Sequence, residues 1–247
     1  MIALEVDGLS IWIEKKPILK NLAFTLEEGE FVSIIGPSGC GKSTLFQVIG
    51  GLMSPTSGEI RVKGQNITGN RGLISYMPQQ PALLPWRTIL ENVVLGQELR
   101  GQKNWGQAKE MLALAGLSDN EASYPHTLSG GMRQRAAFIR ALLSPQPILC
   151  LDEPFSALDE FTRQDMQKWL LELWAQDGRT VLFITHSIEE ALFLSDRLLI
   201  LSERPARVIA DIKLPFTRPR WHSITETETF FAYKKKISNI LRKGGAR

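Results

Sequence analysis

The sequence predicts an α/β fold: a mainly parallel core sheet, helices on both of its faces, and functional groups on the loops at one sheet edge. Three stretches predict it. Phe31-Val32-Ser33-Ile34-Ile35 is an apolar strand-like run leading into Gly36-Pro37-Ser38-Gly39-Cys40-Gly41-Lys42-Ser43-Thr44, and a helix-compatible run with Leu45, Phe46, Val48 and Ile49 leads out. Ile148-Leu149-Cys150-Leu151-Asp152-Glu153 is an almost continuous apolar strand ending in two carboxylates. Thr180-Val181-Leu182-Phe183-Ile184-Thr185 repeats the arrangement and ends at His186. Strands apolar on both faces suit the centre of a parallel sheet, and their carboxyl ends are where α/β sheets place ligands.

The first of these stretches fits the phosphate-binding pattern of Gly, four residues, Gly-Lys, then Ser or Thr. Glycines remove the Cβ atoms that would stop backbone N–H groups closing around a polyphosphate, and the following helix points its positive end at the anion. Lys42 is placed to reach the β- and γ-phosphates and the Ser43 hydroxyl to ligate Mg²⁺. At average composition, the pattern arises by chance in about one chain of this length in a hundred. Nucleotide binding is therefore expected.

With 247 residues, 43% hydrophobic and 22% charged, the chain has core material for one large or two small domains. No apolar run reaches the length of about eighteen residues that spans a bilayer, and Met1-Ile2-Ala3-Leu4-Glu5 lacks signal-peptide regions. A cytoplasmic globular protein is expected. Cys40 and Cys150 lie inside the nucleotide-site stretches without disulfide or metal-ligand spacing, which suits a reducing compartment. The net charge of +3 is uneven, because residues 204–247 hold eleven Lys or Arg against three Asp or Glu. Such a tail suits a phospholipid surface, an acidic partner or a solvated terminal face.

In chain order, residues 2–6 and 9–13 read as strand segments, 22–26 as another, and Glu28-Gly29-Glu30 as a turn. Gly58-Glu59-Ile60-Arg61-Val62-Lys63-Gly64 is a short strand between glycines. Residues 77–86, Met77-Pro78-Gln79-Gln80-Pro81-Ala82-Leu83-Leu84-Pro85-Trp86, carry three prolines and are irregular yet apolar, as in a docking loop. From Thr88 to Ala115 apolar residues recur at helical spacing, with Gly101 as a break. Leu128-Ser129-Gly130-Gly131-Met132-Arg133-Gln134-Arg135 opens a further helix that ends before Pro145. Ser129 is its expected N-cap, and the N–H groups beside the two glycines make a second anion site. Residues 161–176 form an amphipathic helix stopped by Asp177-Gly178.

These residues together resemble the ATP-binding subunit of an ABC transporter. The phosphate loop, Gln79 at the Q-loop, Leu128-Ser129-Gly130-Gly131-Met132 at the signature, Asp152-Glu153 at the Walker B end, Ser156-Ala157-Leu158-Asp159 at the D-loop and His186 at the switch position occur in the family's order. The likeness runs over about residues 2–202, and the signature is specific because other P-loop ATPases lack it. The resemblance implies a P-loop NTPase with a RecA-like parallel core and an antiparallel β-subdomain in residues 1–81 and 146–203. It further implies an inserted helical subdomain in 82–145 and a basic tail in 204–247.

It also implies roles. ATP would sit on Gly36, Pro37, Ser38, Gly39, Cys40, Gly41, Lys42, Ser43 and Thr44, with Ser43, Asp152 and Gln79 holding Mg²⁺. Glu153 would be the general base and His186 would contact the γ-phosphate, so Glu153, His186 and Gln79 are the expected catalytic set. Gln79 is preferred to the adjoining Gln80 because its spacing to Leu83-Leu84-Pro85-Trp86 fits the family. Two copies would face head to tail, with Ser129, Gly130 and Gly131 of one closing over the ATP at Lys42 of the other. The family stacks adenine on an aromatic residue in the second strand. Here ungapped alignment through Leu19 puts Ile13 at that place, with Trp12 adjacent and facing the other way by alternation. Either the strand shifts so that Trp12 stacks, or Ile13 packs more weakly and base discrimination is modest.

Leu83-Leu84-Pro85-Trp86, Tyr124-Pro125-His126 and the tail from Leu214-Pro215 through Arg218-Pro219-Arg220 and on to a basic helix resemble importers for nitrate, sulfonates, taurine or thiamine precursors; Thr127 departs from the usual Gln there. That likeness implies two membrane permease subunits gripped through the Gln79 to Trp86 region, an extracytoplasmic solute-binding protein, and a peripheral place on the cytoplasmic face of the membrane. No nucleic-acid partner is expected: a chromosome-structure ATPase needs a long coiled-coil insertion between Lys42 and Asp152, and a translation factor of this type carries two cassettes. A GTPase would show an Asn-Lys-any-Asp motif, which this sequence lacks. An exporter ATPase with the same cassette is the rival reading, separated by whether a solute-binding protein accompanies it.

Overall fold

The computed structural model describes residues 1–244; the final three residues of the basic tail, 245–247, lie outside the described residues. Strand β1 (Ile2–Ile13) and strand β2 (Lys16–Glu27) form a hairpin around Glu14 and Lys15, both left-handed at φ 47° and 65°. The two expected segments, 2–6 and 9–13, are one strand. Gly8, at φ 58°, lies where the pairing with β2 shifts register, so a bulge carries the strand through without ending it.

Strand β3 (Phe31–Ile35) leads through the phosphate loop into helix α1 (Lys42–Ile49). Strands β4 (Ser57–Val62) and β5 (Gln65–Asn66) add to β1, giving an antiparallel sheet of order β2-β1-β4-β5. Strand β6 (Ser75–Met77) then opens the loop of residues 77–86.

The helical part comprises α2 (Ile89–Val93), α3 (Leu95–Glu98), α4 (Trp105–Leu114) and α5 (Gly130–Leu142). Residues 88–115 are thus three helices. Thr88 and Glu91 form a reciprocal capping box on α2, Gly101 turns the chain at φ 73°, and Asn104 restarts the helix by accepting from the Gln107 N–H at 3.0 Å. Asn92, fully buried, donates to the Leu84, Arg87 and Thr88 carbonyls and accepts from the Leu84 N–H. Arg140 of α5 donates to the Pro81 and Ala82 carbonyls. The three-proline loop is therefore fixed in place although it has no regular structure.

Strand β7 (Ile148–Asp152), helix α6 (Glu160–Asp177), strand β8 (Thr180–Ile184), helix α7 (Ile188–Leu194) and strand β9 (Arg197–Leu201) follow. Strand β10 (Val208–Lys213) and helix α8 (Glu228–Gly244) complete the described chain. The second sheet has the order β10-β9-β3-β8-β7-β6, parallel except for β10. Every residue of β3, β7 and β8 is buried. Leu149, Leu151, Val181 and Phe183 face a core shared with the helical part, while Ile148, Cys150, Leu182 and Ile184 face a core shared with α1 and the antiparallel sheet. Period-two alternation between two apolar layers is why these strands carry no polar stripe.

The segment read as a basic tail contains β10, paired antiparallel with β9, and α8, whose Phe230 and Ile237 pack with Ala191 and Leu192 of α7. Arg220 is buried and donates to the Leu192, Phe193 and Ser195 carbonyls at the end of α7. Arg218 pairs with Asp196 at 2.8 Å and stacks on Trp174 at 4.0 Å.

Candidate functional site

The ends of β3, β6, β7 and β8 deliver their loops to one edge of the parallel sheet. Gly41, at φ 122°, caps α1; a Cβ there would lie 2.9 Å from both Ile18 and Leu19 of β2, so only glycine fits. At Gly36 a Cβ would come within 3.1 Å of the Leu201 backbone. The Lys42 ammonium, largely buried, donates to the Gly36 and Pro37 carbonyls at 2.9 and 3.0 Å, which holds it against the loop. The loop is thus set by packing against β2 and β9 and by the Cys40 N–H donating to the Pro37 carbonyl at 3.3 Å, and the start of α1 beside it suits an anion.

Glu153 follows β7 in a left-handed conformation, φ 48°, and its N–H donates to the Ile184 carbonyl at 2.9 Å. Its own carbonyl accepts from Gln134 Nε2 at 3.3 Å and Ser156 Oγ at 3.0 Å. The backbone so fixed turns the carboxylate toward two other loops. Gln79 Nε2 donates to Glu153 Oε2 at 3.0 Å, and His186 Nδ1 lies 3.3 Å from the same oxygen. Ser38, Gly39, Gly41, Lys42, Ser43, Thr44, Gln79, Glu153 and His186, together with Arg204, line one cavity of about 580 Å³. Gln79 meets Glu153 and lines the cavity; Gln80 does not line it.

Asp152 is 1% exposed, and both carboxylate oxygens are buried without a hydrogen-bond partner. Burial pushes its carboxyl above the ordinary range; the Ser43 hydroxyl and the Lys42 charge oppose this, and Glu153 adds to it. An unpartnered buried carboxylate beside a serine hydroxyl fits a hard divalent cation. Behind His186, the Thr185 hydroxyl donates to Glu190, and the Glu190 N–H donates to Ser187 Oγ at 3.2 Å, starting α7. The Glu190 carboxyl is pushed up by burial, against the Thr185 hydrogen bond and the Arg163 charge.

Ser129 caps α5, its Oγ accepting from the Met132 N–H at 3.3 Å, and Ser129 and Gly130 are exposed. Neither they nor Gly131 line the cavity of their own chain. Trp12 and Ile13 stand exposed at the tip of the β1–β2 hairpin and do not line it either. Cys40 and Cys150 are buried free thiols. Burial raises both; at Cys40 the Lys42 charge opposes the rise, and at Cys150 the Asp152 charge adds to it. Among the described residues no helix is long and apolar enough to cross a membrane.

Sequence reasoning missed Arg204. It reaches the cavity because the loop between β9 and β10 docks on β2, where the Ala206 N–H donates to the Ile18 carbonyl at 2.8 Å. No local pattern signals a contact across that separation in the chain.

The family model described as ABC transporter matches residues 19–156. An aliphatic sulfonates import ATP-binding protein, SsuB of Bacillus cereus, is 39% identical over 246 residues, covering 97% of this chain and 96% of that one. A formylaminopyrimidine import ATP-binding protein, ThiZ of Halalkalibacterium halodurans, is 48% identical over 231 residues, covering 91% and 90%. Among solved structures, the dimeric post-hydrolysis state of the ATP-binding cassette MJ0796 bound to ADP and Pi superposes with a TM-score of 0.78. It is 34% identical and covers 87% of this chain and 100% of that one.

Proposed function

The chain belongs to the ABC transporter family, and from that premise we propose that it is the ATP-hydrolysing subunit of an importer for a small anionic or polar solute. The observation that carries this reading is the meeting of Glu153, Gln79 and His186 within 3.0 to 3.3 Å, opposite the phosphate loop in one cavity. A carboxylate at that place takes the proton of a water attacking the γ-phosphate, and the neighbouring glutamine and histidine orient water and phosphate. The N–H groups of residues 36–44, the Lys42 ammonium and the positive end of α1 bind the polyphosphate. Ser43 and Asp152, directly or through water, and Gln79 would hold Mg²⁺. When bound there, Mg²⁺ neutralises charge on the phosphate oxygens.

Two copies arranged head to tail complete the site, the Ser129, Gly130 and Gly131 end of α5 in one closing over the nucleotide of the other. The exposure of that helix end away from its own cavity supports this, as does the dimeric state of the MJ0796 cassette. Closure on ATP and reopening after hydrolysis then move two membrane permease subunits. Their docking surface is the loop from Gln79 to Trp86, which Asn92 and Arg140 hold rigid while leaving Trp86 71% exposed. An exposed aromatic side chain on a fixed backbone is a good anchor. The subunit sits on the cytoplasmic face of the membrane, and a solute-binding protein serves the outer face. The names of SsuB, for aliphatic sulfonates, and ThiZ, for formylaminopyrimidine, support a small anionic or polar solute; sulfonate, nitrate, taurine and thiamine precursors are the proposed classes.

The test is an affinity capture from gently solubilised membranes of the source organism, with Glu153→Gln as bait and ATP present. A multi-span permease recovered with this bait, and diminished when Trp86→Ala is added, is the expected result. Recovery of ribosomes or DNA without a membrane protein would overturn the transport reading.

A further inference from the structure

Arg204, which none of the family motifs includes, borders the phosphate cavity. The segment 202–207 that carries it is tied by its own hydrogen bonds: the Ser202 N–H donates to the Arg207 carbonyl at 3.0 Å, the Arg207 N–H to Ser202 Oγ at 3.1 Å, and Ser202 Oγ to the Glu203 carbonyl at 2.8 Å. It is also docked on β2, where the Ala206 N–H meets the Ile18 carbonyl at 2.8 Å and the Lys20 N–H meets the Ala206 carbonyl at 3.1 Å. Ile18 is the same residue that forbids a Cβ at Gly41. One stretch of β2 therefore walls the phosphate loop and positions Arg204 beside it.

Three hollows share this side chain. One is the cavity with Lys42, Ser38 and Glu153; a second, of about 400 Å³, is bounded by Pro37, Ser38, Gly39, Cys40 and Glu203; the third lies between the β9–β10 segment and α8. The Arg204 charge reaches the Cys40 thiol inside the loop, where it opposes, more weakly than Lys42, the rise that burial causes. Among the described residues no carboxylate pairs with the Arg204 guanidinium, although Glu203 adjoins it, whereas Arg197 and Arg218 are paired with Asp211 and Asp196. A guanidinium offers a planar fork of N–H donors matched to phosphate oxygens, and it stays charged at any working pH.

We propose that Arg204 is a nucleotide-binding residue whose guanidinium contacts the polyphosphate held by residues 36–44. The proposal rests on the nucleotide-site reading above and adds to it a second cation, alongside Lys42, supplied by the loop between β9 and β10. Because the contact is to phosphate, it distinguishes nucleotides by phosphate number and not by base.

The experiment titrates ATP, ADP and AMP into wild type, Arg204→Ala, Arg204→Lys and Lys42→Ala, with the nucleotide-free melting temperature of each. Arg204→Ala should weaken ATP binding about tenfold, the worth of one charged hydrogen bond. AMP binding should change little, and Arg204→Lys should recover part of the loss. An unchanged melting temperature shows that the loop is intact; if Arg204→Ala alone melts early, Arg204→Gln, which keeps the stem, takes its place. ATP binding at wild-type strength in Arg204→Ala, alongside its loss in Lys42→Ala, would overturn the proposal. So would equal losses for ATP and AMP, or lost ATP-driven dimerisation at unchanged affinity, which would place Arg204 between copies. Failure of wild type itself to bind ATP would instead overturn the nucleotide-site reading.

Discussion

Asp152 is a residue whose burial should cost stability at the place proposed for a cation. Its carboxylate is buried at the end of β7 with neither oxygen hydrogen-bonded, and its pKa stands above the ordinary 3.8 mainly because of burial. A carboxyl whose folded pKa is raised stabilises the fold when protonated. That stability is full below 3.8 and is lost as pH rises through the folded value. In metal-free buffer, Asp152→Asn should therefore melt higher than wild type at pH 7, by a few degrees for about 1 kcal/mol. The gap should close toward pH 4, and Mg²⁺-dependent nucleotide affinity should be lost. A variant less stable than wild type at neutral pH without metal would contradict the assignment of Asp152 as a charge awaiting a cation. Most site residues were legible one at a time, since each belongs to a short motif whose chemistry dictates its type. Gln79 and Gln80 could not be separated by type; spacing to Trp86 favoured Gln79, and the hydrogen bond to Glu153 accords with it. Arg204 was invisible because its place depends on β9–β10 docking against β2, far away in the chain.

At the scale of elements, helix α7 is held at both ends by groups outside it. Its start is fixed by Ser187 and by the link from Thr185 to Glu190, and its end by Arg220, which donates to the Leu192 and Phe193 carbonyls. Burial lowers the Arg220 pKa to about 10, with Arg218 adding and Asp196 opposing, yet the group remains charged at neutral pH. Arg220→Ala leaves several buried carbonyls without a donor. Loss of such a cap should cost about 2 to 4 kcal/mol, a fall of roughly 5 to 15 °C in melting temperature. A shift under one degree would mean that the segment 216–220 does not anchor α7. This C-terminal region is where elements were least legible. Val208, Ala210 and Ile212 alternate as a strand should, but the excess of Lys and Arg in 204–247 drew attention to charge. The three-residue β6 is too short to show a period, and the continuity of β1 depends on a bulge at Gly8 that alternation alone does not reveal. The fully buried five-residue strands β3, β7 and β8 were legible because burial on both faces leaves a mostly apolar run.

For the whole molecule, the parallel sheet gathers the phosphate loop, Gln79, Glu153 and His186 on one edge, while the helical part presents Ser129 and Gly130 elsewhere on the surface. In the proposed head-to-tail arrangement one chain would hold two halves of two sites and complete neither alone. The central claim, that ATP joins two copies into the working unit, is tested most directly by light scattering of Glu153→Gln with and without ATP. In the proposed role of Glu153 that variant would lack the carboxylate that takes the water's proton and so would keep the bound nucleotide. The account predicts a doubling of mass on adding ATP and no change when Ser129→Arg is combined with it. A monomeric mass with ATP demonstrably bound to Glu153→Gln would contradict the account.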